Sequence, residues 1–264
     1  SGDADDNCAK AGISAIRAEI ETSLATRAAA NAGPRHIDAA RGGGRAMNTL
    51  TKLALGLMGQ LKPQPPIGDA TTTMPLPPPR RSGGLPLMEA LRQRQSQREF
   101  APKALRKQQL SDLLWAAAGI NRPTLGGRTA PSAMNAQEVL VYVAMPQGLF
   151  RYEPAMHELQ LAAATDVRRV TGYQDFVDTA PLDLVYVADH ARMRLVPAAM
   201  REAYAYAAAG AMAQNVYLCC ASAGLATVIR AWFDRDALAR AMALGNELQL
   251  LLAQTVGLPG EAAP

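Results

Sequence analysis

The chain has 264 residues, 49% of them hydrophobic and 19% charged, with a formal net charge of +4, enough apolar material for one large core or two small ones. Aromatic residues make up only 5% of the chain and the arginines are scattered, so the cations interleaved with stacking rings that a single-strand nucleic-acid groove needs are missing. The three cysteines and the distant His36, His157 and His190 carry no metal-ligand spacing, and no apolar run approaches the 18 residues of a membrane span.

In chain order, residues 1–46 are rich in Ala, Arg and Gly and read as a poorly structured tail. From Met47, "MNTLTKLALGLMGQL" has the lysine and short apolar run of an export signal, but Gly56 and Gly59 interrupt it and no cleavage site follows. Free thiols suit a reducing compartment, so a cytoplasmic protein is expected. Residues 47–84 read as a linker or arm, because the prolines of "KPQPPIGDATTTMPLPPPRRSGGLP" favour polyproline II.

The folded domain is expected over 85–264. "LPLMEALRQRQS" and "LRKQQLSDLLWAAAGI" carry apolar residues at helical spacing, with Gly119 as a stop. After a polar loop come a strand, Glu138 to Met145, then a hairpin through "PQG" and a short helix at "DVRRVTG". Leu182 to Asp189 is a further strand. The longest helix should run from Pro197 to Ala223; its alanines let neighbours approach closely, which predicts a central, buried position. Gly224 ends it, and strand "LATVIRAWF", Asp-capped helix "DRDALARAMAL" and strand "LQLLLAQTVG" follow. Helices and strands do not alternate regularly, which predicts an α+β domain with a mostly antiparallel sheet between helices.

"RQRQSQREF" (Arg92 to Phe100) puts three arginines and a serine into seven residues. Guanidinium forks beside a hydroxyl suit a small anion, although a solvated helix end would use the same residues. Together with "APSAMNAQEVLVYV", "AMAQNVYLCCASAGLATVIRAWFD" and "LLAQTVGLP", in this order, the stretch resembles the flavin-dependent nitroreductase family. Within it, the branch that includes the thiazoline/oxazoline dehydrogenases is the most similar. The likeness spans roughly Gly83 to Pro259. It implies a nitroreductase-like α+β fold with a long buried central helix, and FMN bound between the two subunits of a homodimer.

In the family an Arg-x-Ser after the first helix holds the FMN phosphate and ribityl tail, which implies that role for Arg94, Gln95 and Ser96, with Arg98 beside them. The Pro-Ser-x-x-Asn loop implies that Ser132 and Asn135 touch the flavin of the other subunit; by local rules alone they would form a turn capped by Asn135. Val228, Ile229, Arg230 and Ala231 would run along the isoalloxazine, offering apolar contact and backbone N–H groups near N5 and O4. Arg230 is the candidate for a positive charge near N1 or O2. The resemblance implies no catalytic side chain, since flavin N5 carries the chemistry. The expected activity is ping-pong transfer of hydride from NAD(P)H to nitroaromatic, quinone or related small-molecule acceptors. A dehydrogenase or oxidase acting on a small-molecule or peptide-derived ring, and a flavin-binding protein without turnover, are the alternatives. Two departures stand out: Ala231 and Trp232 occupy the place where family members often carry an acidic residue, and "GLPGEAAP" lacks the family's C-terminal Lys/Arg pair over the phosphate.

Overall fold

The structure is a computed structural model that describes residues 72–260. The tail, the arm up to residue 71 and residues 261–264 lie outside the described residues.

The described chain runs β1 (Thr73–Pro75), α1 (Leu87–Gln93), β2 (Phe100–Ala101), α2 (Lys107–Ala118), β3 (Ile120–Arg122), β4 (Gly127–Arg128), β5 (Val139–Met145), β6 (Gly148–Glu153), β7 (Glu158–Ala163), α3 (Phe176–Thr179), β8 (Leu182–Asp189), α4 (Ala198–Ala223), β9 (Ala226–Arg230), α5 (Arg235–Ala241) and β10 (Leu248–Pro259). The main sheet is ordered β1-β7-β6-β5-β8-β10-β2, with β9 also on β10, and every pairing is antiparallel. "DVRRVTG" forms only a 3₁₀ turn at Arg168–Val170.

Both faces of the sheet are covered, and the strand alternation sorts their residues. Val139, Val141 and Val143 point into the larger core with Leu113, Leu114, Met212 and Val216 from α2 and α4. Leu140, Tyr142 and Ala144 point the other way, onto Phe233, Leu238 and Met242 around α5. This explains why β5 and β8 read as continuous β-branched and aromatic runs.

α4 is 26 residues long and ends at Gly224, whose φ of 66° is the left-handed cap that the helix needs. Its inner face, Ala205, Ala208, Ala209, Met212, Ala213 and Val216, is buried. Gln254 on β10 ties it to the sheet, accepting from Tyr186 Oη (2.7 Å) and donating to the Ala213 carbonyl (3.3 Å). The opposite face, through Ala203, Ala207, Gly210 and Gln214, is exposed in the single chain. Gly119 ends α2 in an extended conformation. What it needs is space, because a Cβ there would come within 2.2 Å of the Trp115 ring.

Residues 73–84, composed like a linker, lie along the domain. β1 pairs with β7, and Pro75 closes this edge strand where a missing donor does least harm. The Pro77 carbonyl accepts from Ser111 Oγ (2.6 Å) and faces His157 Nε2 (3.1 Å). A carbonyl only accepts, so Nε2 carries the ring proton and Nδ1 accepts from Tyr152 Oη (2.9 Å). Arg80 adds an ion pair to Asp112 on α2 (2.7 Å).

β9 is fixed by a buried charge. Arg230 Nη2 pairs with Asp183 Oδ1 on β8 (2.8 Å) and donates to Thr171 Oγ1 (3.2 Å). Its Nη1 donates to Thr255 Oγ1 on β10, whose hydroxyl donates to Asp183. The guanidinium lies 5.3 Å from the Phe176 ring, which contacts Phe100 on β2.

Two outcomes are expected. Burial lowers the His157 pKa from 6.5, so as the pH falls below that value the unfolded chain takes a proton that the folded chain refuses, and stability drops. The melting temperature should fall on acidification from neutral pH, and more steeply than in His157→Gln; equal slopes would remove His157 from this role. Arg230→Met should cost about 3–5 kcal/mol in chemical denaturation, because it strands the Asp183 carboxylate, and adding Asp183→Leu should recover most of the loss.

Candidate functional site

α1 ends where Arg94 donates its N–H to the Ala90 carbonyl (2.9 Å), and an extended segment leads away from it. That segment runs beside β9: the Gln97 N–H donates to the Thr227 carbonyl (3.0 Å). Tyr217 on α4 closes the junction. Its hydroxyl accepts the Ile229 N–H (3.0 Å) and lies 2.8 Å from Ser96 Oγ. Either hydroxyl can donate in this contact, so Tyr217 ties the Ser96 hydroxyl and the Ile229 backbone together whichever proton is shared.

The Arg94 guanidinium lies 5.3 Å from the Tyr217 ring centre, and the residue is half-buried. Among the described residues neither Arg94 nor Arg98 forms an ion pair, whereas Arg92 is bound to Glu89 (2.5 Å). Gln95, Ser96 and Arg98 are exposed. The structure thus gathers Arg94, Ser96 and Ile229 around Tyr217, with Gln95 and Arg98 on the same segment.

Successive backbone groups of a strand point to opposite edges. Thr227 and Ile229 therefore face outward, toward the Arg94–Arg98 segment, while Val228 and Arg230 face β10. Of the backbone donors expected at the isoalloxazine, Ile229's is taken by Tyr217 and those of Val228 and Arg230 turn into the sheet. The next N–H on the outer side belongs to Ala231, an exposed residue one step beyond the strand. Arg230 also departs from expectation, because its guanidinium is held by Asp183, Thr171 and Thr255 inside the fold. Its charge is there balanced by the Asp183 carboxylate (2.8 Å).

Ser132 and Asn135 sit in a tight turn before β5. Met134, Asn135 and Gln137 all have φ between 52° and 55°, a region that side chains disfavour. Gln137 holds the turn: its N–H donates to Ser132 Oγ (3.0 Å), and its side-chain amide donates to Asn135 Oδ1 (3.0 Å) and the Gly126 carbonyl (2.8 Å). The turn hangs from β5, whose neighbours are β6 and β8, while the Arg94–Arg98 segment follows the outer edge of β9. Two cavities of about 350 and 310 Å³ are lined by neither group. Within one chain Gln95, Ser96 and Arg98 of this segment are open to solvent.

Sequence reasoning left out Tyr217 and Gln137. Both carried a signal, since a phenol in an alanine-rich helix and an amide before a continuous apolar strand each need polar partners once buried. No group of three His, Cys, Asp or Glu among the described residues is placed to hold a metal, and no described helix is long and apolar enough to cross a membrane.

The profile of the nitroreductase family matches residues 91–258. A protein of Methanocaldococcus jannaschii that carries the name nitroreductase is 30% identical over 161 residues, 57% of this chain and 81% of its own length. A solved structure from Ralstonia eutropha JMP134, also titled as a nitroreductase, is 51% identical with a TM-score of 0.70, covering 76% of this chain and 96% of that one. The E. coli microcin synthetase McbBCD complex shares the fold at a TM-score of 0.55 and 18% identity, over 67% of this chain and 75% of that one. The matched span contains the Arg94–Arg98 segment, the Ser132–Asn135 turn and β9, and the chain belongs to the nitroreductase family.

Proposed function

We propose that this chain is an FMN-dependent oxidoreductase that takes electrons from NAD(P)H and delivers them to a small organic acceptor, working as a homodimer with one FMN at each of two shared sites. Membership of the family makes it an oxidoreductase. The finer reading rests above all on one observation: two arginines without ion pairs among the described residues and an exposed serine hydroxyl flank an exposed strand end. This donor set fits FMN. A phosphate dianion accepts several charge-assisted hydrogen bonds from guanidinium groups, which assigns it to Arg94 and Arg98, with Ser96 and Gln95 on the polar tail.

When bound, FMN supplies reversible two-electron chemistry at N5. The chain's task is to orient the ring and balance its charge. The Ala231 N–H is the donor assigned to the ring's polar edge, with Val228 and Ile229 as its apolar neighbours. Tyr217 holds the Ile229 backbone and Ser96 in one register, so the tail and ring subsites keep a fixed spacing. Ser132 and Asn135 of a second subunit complete the site from the other side. The exposed face of α4 supports that pairing: small residues at helical spacing let a second helix approach closely, and a two-fold dimer is the commonest closed arrangement.

The direct test is the visible spectrum of the purified chain and its bleaching by NADH or NADPH without oxygen. A flavin that binds but is not bleached by either would favour a dehydrogenase or oxidase, and a chain that takes up no flavin would end the proposal. Arg94→Ala should lower FMN affinity about ten- to a hundredfold, the cost of one charge-assisted contact. Arg92→Ala should be nearly silent, because that guanidinium already pairs with Glu89; equal binding by the two variants would dismantle the clamp. Mixing Arg94→Ala with Asn135→Ala subunits should restore one intact site per heterodimer, read as recovered flavin, whereas a stable monomer with stoichiometric FMN would rule out sharing.

A further inference from the structure

Beyond Ala231 stands Trp232, 76% exposed, and against it lies Tyr173, 59% exposed, with ring centres 5.6 Å apart at 64°. Two large rings left open to water at one spot need a reason, and their supports are rigid. Tyr173 follows Thr171 and Gly172, and Thr171 offers both its carbonyl (3.5 Å) and its hydroxyl (3.2 Å) to Arg230 Nη2. Gly172 presses on the same guanidinium, where a Cβ would come within 2.7 Å of Arg230 Nε. Trp232 stands two residues after Arg230. The chain behind it is anchored by the buried Phe233 ring, stacked under Arg235 (4.9 Å), and by Asp234, which caps α5 through the Ala237 N–H (2.8 Å). One buried cation thus fixes the backbone under both rings.

We propose that Tyr173 and Trp232 form an aromatic wall that binds the flat, conjugated ring of the acceptor at the open end of β9, and that these two residues set acceptor specificity. The inference rests on the placement of the flavin ring along β9 given above. Offset stacking on an indole and edge contact with a phenol favour planar, electron-poor ring systems and give little to compact ions. Ala231 between strand and wall has only a methyl group, so a ring can lie close to the backbone. The backbone beneath both rings is fixed before the ligand arrives, so the ordering left for binding is that of two aromatic side chains.

The test compares a naphthoquinone with ferricyanide as acceptors for the FMN-loaded protein. Trp232→Ala and Tyr173→Ala should each raise the KM for the quinone about tenfold, as expected for the loss of one aromatic contact, with FMN content unchanged and ferricyanide reduction within about twofold. Trp232→Phe should largely keep the quinone KM. Parallel changes with both acceptors, no change with either, or loss of flavin from Trp232→Ala would overturn the proposal. A second readout needs no turnover. The chain has two tryptophans, so the emission difference between wild type and Trp232→Phe isolates Trp232. It should be red-shifted and saturably quenched by the quinone. A blue-shifted signal would mean that a second chain already covers the ring, and a strictly linear quench would mean collision without binding; either outcome defeats the wall. A chain that never takes up flavin yet shows the saturable quench would sink the proposed function and leave this binding surface standing.

Discussion

A guanidinium taken out of water beside a carboxylate is the constraint around which this end of the molecule is arranged. Removing two charges from solvent is costly, and replacing such a pair with well-packed apolar groups is often neutral or stabilising. The cluster is not even saturated, because Asp183 Oδ2 and Arg230 Nε are buried without a hydrogen-bond partner. What Arg230, Asp183 and Thr255 give in return is geometry. Three neighbouring strands, the turn at Thr171 and, through Phe176 and Phe100, the short β2 meet on one side chain. A greasy replacement could fill the volume, but it would not fix the angle at which β9 delivers Ala231 and Trp232 to the surface.

Tyr217 performs the matching task from the helical side. Alanine and glycine let α4 settle close to its neighbours, and a helix so featureless could slide or rotate against the sheet. A single phenol reaching out of it to a strand N–H and a loop hydroxyl removes that freedom. The same ring lies beneath Arg94, so helix register, strand position and the direction of a surface cation are decided together.

Much of the architecture could be read from residue patterns because it follows from local periodicity. The runs "EVLVYVAM" and "LDLVYVAD" became central strands, and the Ala-rich stretch ending at Gly224 became the long helix, for the reasons that suggested them. Asp234 caps its helix as its position before "RDALARA" indicates. What escaped depends on distant partners. Nothing near Arg230 in sequence reveals Asp183, forty-seven positions earlier, and an arginine at the end of a strand reads equally well as a ligand's counter-ion. β1 escaped because proline-rich chain looks like a spacer until a sheet edge is there to receive it. The Arg-x-Ser segment was visible as a motif, but the hydrogen bond that orients its serine comes from a helix more than a hundred residues away.

β10 pairs with β8 along one edge and with β9 and β2 along the other. During synthesis β5 to β8 can pair early, while β2 and β9 must wait for β10, whose last residue comes 70 positions after the end of β8. From the completion of β8 at Asp189 until Leu248 is made, the outer edge of β8, with its fully buried-type sequence, has no neighbour. Such an edge is a template for wrong pairing, and long-range strand closure is slow. Yield in a fast-translating host should therefore be governed by the interval between completion of β8 and emergence of residues 248–259, a stretch in which α4 is the main structure available to shield the open sheet.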